Sequence, residues 1–221
     1  MLYVVATPIG NLEDITLRAI RILGEVDFIF AEDTRVTKKL LNHLGIEKIV
    51  YRYDENVKYH QIPNIINMLE NGNKIAVVTD AGTPCISDPG WELVDAAHKA
   101  GIQVVPVPGA SAMIAAASVA GISTRRLAME GFLPKKKGRQ TLLKKLATEE
   151  RTIIIYESPY RIEKTLRDIE TFMGVREVVI VREITKIYEE ILRGTTTELI
   201  EKISKNPLKG EIVLLVKGIE D

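Results

Sequence analysis

The chain has 221 residues, with 30 Lys plus Arg against 30 Asp plus Glu, so its formal net charge is zero. That length holds one large domain or two small ones around a buried core, and the balance excludes a polybasic or acidic disordered chain. One cysteine, Cys85, forbids an intramolecular disulfide, and with only His43, His60 and His98 beside it no metal site is expected.

Apolar runs at 2–6, 26–31, 74–79 and 102–107 alternate with stretches of helical spacing, which predicts a parallel sheet wrapped by helices. A first helix is expected behind Glu13 and Asp14, with Leu17, Ile20, Ile22 and Leu23 as its apolar stripe and Gly24 as its C-terminal cap. Further on, Asp88 is expected to cap a helix that has Pro89 at its first position and ends at Gly101. Residues 110–121, half of them alanine, predict a small-sided helix that other backbone or a flat ligand can approach closely. Beyond it strands are predicted at 126–132, 152–157, 177–183, 187–193 and 210–216, and helices at 138–148, 159–173 and 195–204. In the second of these helices Ile162, Leu166, Ile169 and Met173 fall on one face. The change of texture near 108–112 divides the chain into an N-terminal α/β domain, 1–110, and a C-terminal one, 111–221. Residues 100–124 carry no charge, but Pro106, Pro108 and three glycines deny them a continuous membrane-spanning helix. The N-terminus has no basic leader, so a soluble, cytoplasmic protein without a membrane partner is expected.

No two of the 15 glycines are separated by a single residue and none precedes a lysine, which removes both the G-x-G-x-x-G fingerprint and the P-loop. Small and polar residues gather instead where the predicted strands end, at 7–11, 32–35, 79–84 and 108–112. Open parallel sheets bind ligands at that edge. Three carboxylates at strand ends, Asp33, Glu157 and Glu183, have Arg35, Arg161 and Lys186 within four residues, an arrangement that keeps an acid ionised; they are the candidate catalytic residues. His60 and His98 fall in predicted helices, away from that edge.

The halves differ in charge: residues 1–110 hold 10 basic and 14 acidic side chains, and 111–221 hold 20 and 16. The excess is concentrated between 125 and 145, where Arg125, Arg126, Lys135, Lys136, Lys137, Arg139, Lys144 and Lys145 face one acid, Glu130. Gly131, Pro134 and Gly138 make the middle a loop, so Arg125, Arg126, Lys135, Lys136, Lys137 and Arg139 are expected to follow a phosphate backbone as one stripe. Only Phe132 is aromatic nearby, so contacts to phosphate and sugar are expected rather than base stacking.

VATPIGNLEDITLRA, FIFAEDTR, VVTDAGTPCISDPG, VPVPGASA, EGFLP, IYESPYR and VREITKIYEE resemble, in that order, the signature blocks of the tetrapyrrole methylase superfamily. More narrowly they resemble the ribosomal RNA small subunit methyltransferase I family, which methylates a cytidine 2′-hydroxyl in 16S rRNA. The resemblance implies two α/β domains, the first with a mainly parallel sheet and the second with a mixed one, S-adenosyl-L-methionine in a cleft between them, and a homodimer acting on 16S rRNA or the small ribosomal subunit. It implies cofactor contacts at Pro8, Ile9, Ala81, Gly82, Thr83, Ile86, Ser111 and Ala112, closed by Tyr156, Glu157 and Ile184. The chain departs from the family at Tyr160, where a histidine is expected. The competing readings are a superfamily methyltransferase acting on a small molecule such as a tetrapyrrole, and a non-enzymatic nucleotide- or RNA-binding module.

Overall fold

The computed structural model describes residues 1–219 and separates into two compact units, the first ending at Ser111 and the second beginning at Ala112. In the first, β1 (Leu2–Val5), β2 (Phe28–Ala31), β3 (Ile49–Arg52), β4 (Ile75–Val78) and β5 (Val104–Val107) form an all-parallel sheet in the order β3-β2-β4-β1-β5. Helices α1 (Leu17–Glu25) and α2 (Thr34–His43) bury Ala19, Ile22, Leu23 and Leu41 against Val5, Ile29 and Ala76 on one face. On the other face α3 (Lys58–Glu70) and α4 (Trp91–Lys99) bury Ile65, Leu69, Leu93 and Ala97 against Leu2, Phe30 and Ile75. Strands covered on both faces need apolar residues at every position, which is why they read as unbroken runs.

Two helix starts differ from expectation. Thr16 caps α1 by accepting from the Ala19 N–H at 3.0 Å, while Glu13 and Asp14 belong to a separate one-turn segment, Leu12–Asp14, capped by Asn11. Gly24 lies inside α1, because the chain leaves it extended at Val26 and needs no left-handed residue there. Asp88 does not cap α4. Gly90 occupies that position with φ +145, and a β-carbon there would overlap the Cys85 thiol. Helices α2 and α3 and strand β3 gave no individual signal: α3 carries Pro63 internally, and β3 is exposed at three of its four positions, without alternation.

The second unit has β6 (Leu127–Phe132), β7 (Thr152–Glu157), β8 (Glu177–Arg182), β9 (Glu190–Thr195) and β10 (Ile212–Val216) in the order β6-β7-β10-β8-β9. Only β6 and β7 pair parallel, joined by α6 (Arg139–Leu146); the other pairs are antiparallel. Helix α6 packs with α7 (Ile162–Met173) and α8 (Thr196–Lys205) on one face, through Leu143, Leu166, Ile169 and Ile203. The alanine-rich α5 (Ala112–Val119) covers the other face with Ala116 and Ala117. Strand β9 starts three residues later than its apolar run suggests. Glu183 and Thr185 adopt positive φ (49 and 66), and the Thr185 N–H donates to the Glu189 carboxylate at 2.6 Å, closing 183–189 into a turn. Among the described residues no helix is long and apolar enough to cross a membrane.

Candidate functional site

In the first unit, the loops leaving β1, β4 and β5 are tied together by their backbones. Thr7 and Gly82 exchange N–H···O=C bonds of 2.9 and 3.1 Å, the Thr7 hydroxyl donates to the Thr79 carbonyl at 3.1 Å, and the Thr83 hydroxyl donates to the Ala110 carbonyl at 3.1 Å. Gly82 holds φ +88, and a β-carbon there would lie 3.3 Å from Ile9 Cγ2. At Gly109 a β-carbon would come within 2.9 Å of the Ala6 methyl. These contacts require glycine, and they leave a cradle of backbone and small side chains at the strand ends. Pro8 and Ile9 are buried in its floor, Thr83 and Ser111 are half-buried, and Ala81 and Ile86 stand at the surface. Ala112 opens α5 in the second unit.

The acids of this edge hold the fold. Asp33 caps α2, accepting from the Arg35 N–H at 2.8 Å and from the guanidinium on both oxygens; those side-chain bonds keep its carboxyl well below the usual range. The Asp33 N–H in turn donates to Asp80 at 3.0 Å, and the Thr79 hydroxyl donates to Glu32 at 2.7 Å. Burial, and next the Glu32 charge, push the Asp88 carboxyl up. A cavity of about 490 Å³ beside Asp33 has Glu32, Asp54 and Glu55 on its rim, while Arg35 and Arg52 are committed to Asp33 and Asp54. Such a lining repels phosphate. The Cys85 thiol, pushed up to about 11 by burial, is not a nucleophile at neutral pH.

In the second unit, Glu157 is buried and both its oxygens are engaged. Oε1 accepts from the Ser158 N–H at 2.8 Å and lies 3.3 Å from Arg161 Nε, while Oε2 accepts from the Thr165 hydroxyl at 2.6 Å. Arg139 completes this buried chain, donating to Thr165 Oγ1 at 2.8 Å, Asp168 at 2.7 Å and the Pro134 carbonyl at 3.3 Å. Glu183 accepts from the Glu211 N–H at 2.9 Å and from Lys186 at 3.0 Å, which hold its carboxyl below the ordinary value, the backbone donor foremost. A register shift in β6 between Met129 and Gly131 sets Phe132 beside Tyr156, ring centroids 5.6 Å apart. Tyr156 and Ile184 flank the cluster under α5.

The basic stretch is divided by the fold. Arg125 and Arg126 precede β6, whereas Lys135, Lys136 and Lys137 follow it, and six strand residues span about 20 Å. Lys144 and Lys145 sit at the far end of α6, which runs back antiparallel to β6. Arg139 is a correction to the expected stripe. Only 5 % exposed and bonded as above, it has no guanidinium face to offer a phosphate. Lys135, Lys136 and Lys137 are exposed.

The profile described as "Tetrapyrrole (Corrin/Porphyrin) Methylases" matches residues 1–200. The chain belongs to that family. Proteins named "Ribosomal RNA small subunit methyltransferase I" are similar to this methylase over nearly its whole length. The one from Halalkalibacterium halodurans is 50 % identical, covering 98 % of this chain and 75 % of that one; the one from Thermotoga maritima is 47 % identical, covering 99 % of each. The relative from Synechocystis is 48 % identical over 99 % of the methylase and 79 % of its own length. A solved cobalt precorrin-4 methyltransferase, CbiF, shares the fold with a TM-score of 0.71 at 20 % identity, covering 98 % of this chain and 94 % of its own. The methylase is therefore a methyltransferase enzyme.

Three features of the methylase escape sequence reasoning. Lys58, buried in the first turn of α3, pairs with Glu92 of α4 and with Glu55 at 2.7 Å, fixing the helix that follows the 79–90 loop. Partners 34 residues apart leave no local pattern. The Arg139–Thr165–Glu157 chain likewise joins α6, α7 and β7, and its arginine lies within a lysine run that disguises it. The exposure of Tyr160 is the third: 97 % exposed and three residues past the buried end of β7, it is marked in the sequence only as a departure from the family's histidine.

Proposed function

We propose that the protein transfers a methyl group from S-adenosylmethionine to a cytidine 2′-hydroxyl of 16S rRNA, as a cytoplasmic homodimer. The observation that carries this is the near full-length identity to proteins named for the small-subunit rRNA reaction. The cradle at the first unit's strand ends fits the donor: backbone carbonyls and small side chains suit a sulfonium and a nucleoside, and a strongly cationic pocket is not needed. In this assignment Ile9, Ala81, Gly82, Thr83 and Ile86 line the donor's methionine and ribose, with Pro8 beneath and Ser111 and Ala112 by the ribose or adenine. Tyr156 and Ile184 are assigned to it on the family resemblance. The donor, when bound, supplies an electrophilic methyl for in-line displacement.

The chain's own task is alignment of the ribose oxygen, worth up to about 7–11 kcal/mol in favourable systems, and removal of its proton. Among the three acids, Asp33 and Glu157 spend their oxygens on capping and on the buried chain. Glu183 directs both its hydrogen bonds to Oε1, so Oε2 is the oxygen we assign to a late proton acceptor. Lys135, Lys136 and Lys137 are assigned to RNA phosphates. Incubation with labelled S-adenosylmethionine and small ribosomal subunits or naked 16S rRNA, followed by mass-spectrometric mapping, is expected to find one methyl on a cytidine ribose. Label passing to a porphyrin acceptor and none to RNA overturns the proposal. Glu183→Gln is expected to lower turnover while leaving donor affinity, measured by calorimetry, unchanged.

A further inference from the structure

The turn after β7 presents an aromatic ring to solvent from an unusually well-fixed base. Tyr160 is 97 % exposed, yet its own N–H donates to Ser158 Oγ at 3.3 Å, and the Ser158 N–H is held by buried Glu157 at 2.8 Å. One residue further, Arg161 donates to the Leu133 carbonyl at 3.1 Å, which joins this turn to the start of the Lys135–Lys137 loop. Beside the ring opens a cavity of about 440 Å³. Its floor is Ile162 and Ile203, each 2 % exposed, and its walls include Pro159 and Leu208.

The unpaired charge around this cavity has one sign. Lys209 stands on its rim, Lys135, Lys136 and Lys137 lie past Leu133, and all four are exposed and make no ion pair among the described residues. The rim's acid, Glu163, is paired with Arg167 at 2.8 Å. An apolar slot large enough for one heterocycle, faced by an aromatic ring and flanked by unneutralised lysines, matches an unpaired nucleotide: base on the ring, phosphates on the ammonium groups. A rigid turn limits the ordering cost of such a stack. The expectation of phosphate and sugar contacts rests on the scarcity of aromatics within 125–145 and takes no account of a ring at position 160, whose neighbour Arg161 is bonded to the Leu133 carbonyl.

We propose that Tyr160 and the adjoining apolar slot form a binding site for one unpaired base of the RNA substrate, separate from the nucleotide that is methylated. This rests on the assignment of an RNA substrate above.

The test uses the full-length protein and a single-stranded oligoribonucleotide of about twelve nucleotides carrying 2-aminopurine, with a blunt duplex of equal length as control. Binding of the single strand is expected to quench the probe. Tyr160→Ala is expected to abolish the quench and weaken single-strand affinity about 5- to 150-fold, the effect of losing one stacked base, with the salt dependence and the duplex affinity unchanged. Tyr160→Phe is expected to retain quench and affinity. The site is overturned if Tyr160→Ala binds the single strand within twofold of the parent, or loses single strand and duplex equally. It is also overturned if sedimentation shows that the substitution changes only the oligomeric state, which would assign the tyrosine to a contact between copies. Methyl transfer is measured separately, so the site stands if binding behaves as described while no RNA is methylated.

Discussion

At the scale of single residues, burial decides what a charge can do. Arg139 and Lys136 lie three positions apart in one basic run, yet the first is enclosed by Asp168, Thr165 and Pro134 while the second is in water. Breaking a buried pair strands its partner and costs about 3 kcal/mol or more, whereas an exposed lysine far from any acid costs almost nothing. Urea denaturation should therefore show Arg139→Ala destabilised by about 3 kcal/mol, with an unchanged salt slope for RNA binding in the molecules that remain folded. A stable variant with a flatter slope would return Arg139 to the phosphate track. Gly82 is the second such position. Its φ of +88 costs an L-residue about 1–2 kcal/mol, and its added methyl would press on Ile9. Gly82→Ala should lose about that stability and, because Ile9 and Thr83 adjoin it, weaken S-adenosylmethionine binding in calorimetry. Full donor affinity in a destabilised variant would remove this loop from the donor site.

Elements were legible to the extent that their signal was local. Strand β7 begins and ends where its apolar run predicts, because six consecutive residues face two covered sides. The starts of α1 and α4 were misplaced because caps are chosen by backbone geometry. Thr16 and Gly90 have the dihedrals the turns require; Asp88 merely has a suitable side chain, and Glu13 and Asp14 a favourable charge. Helix α2 carries a pH-dependent cap. The folded-state pKa of Asp33 is depressed by Arg35, so its contribution is complete above the normal carboxylate range and is lost as pH falls through the folded value. Asp33→Asn keeps a capping oxygen but loses the ion pair. Thermal unfolding should show the variant less stable than the parent near neutral pH, with the two converging only in strong acid. A difference that persists at the acid end would mean that shape, not charge, holds this helix start.

On the scale of the whole molecule, zero net charge means that any salt-dependent affinity for RNA comes from a local patch. Strand β6 separates the candidates into two ends about 20 Å apart, so one end can serve the substrate without the other. Lys136→Ala should reduce the slope of log affinity against log salt by about one, and Arg126→Ala should leave it unchanged. The reverse would move the track to the opposite end of the second sheet. Arg126 already lies 3.6 Å from Glu150, so part of its charge is answered within the fold.

The sequence alone determined the α/β class, the parallel first sheet and the loops at strand ends, since apolar periodicity and the glycines of close-packed turns are properties of neighbouring residues; the mixed second sheet came only with the family resemblance. Seven ordered blocks carried the family likewise, each being local. Only the tertiary structure decided which charges are buried, which basic residues share an edge, and that the turn holding Tyr160 is bonded through Arg161 to the start of the lysine loop. Those facts depend on partners dozens of residues apart, and a one-dimensional pattern holds no record of which side of a strand, or which end of a helix, meets them.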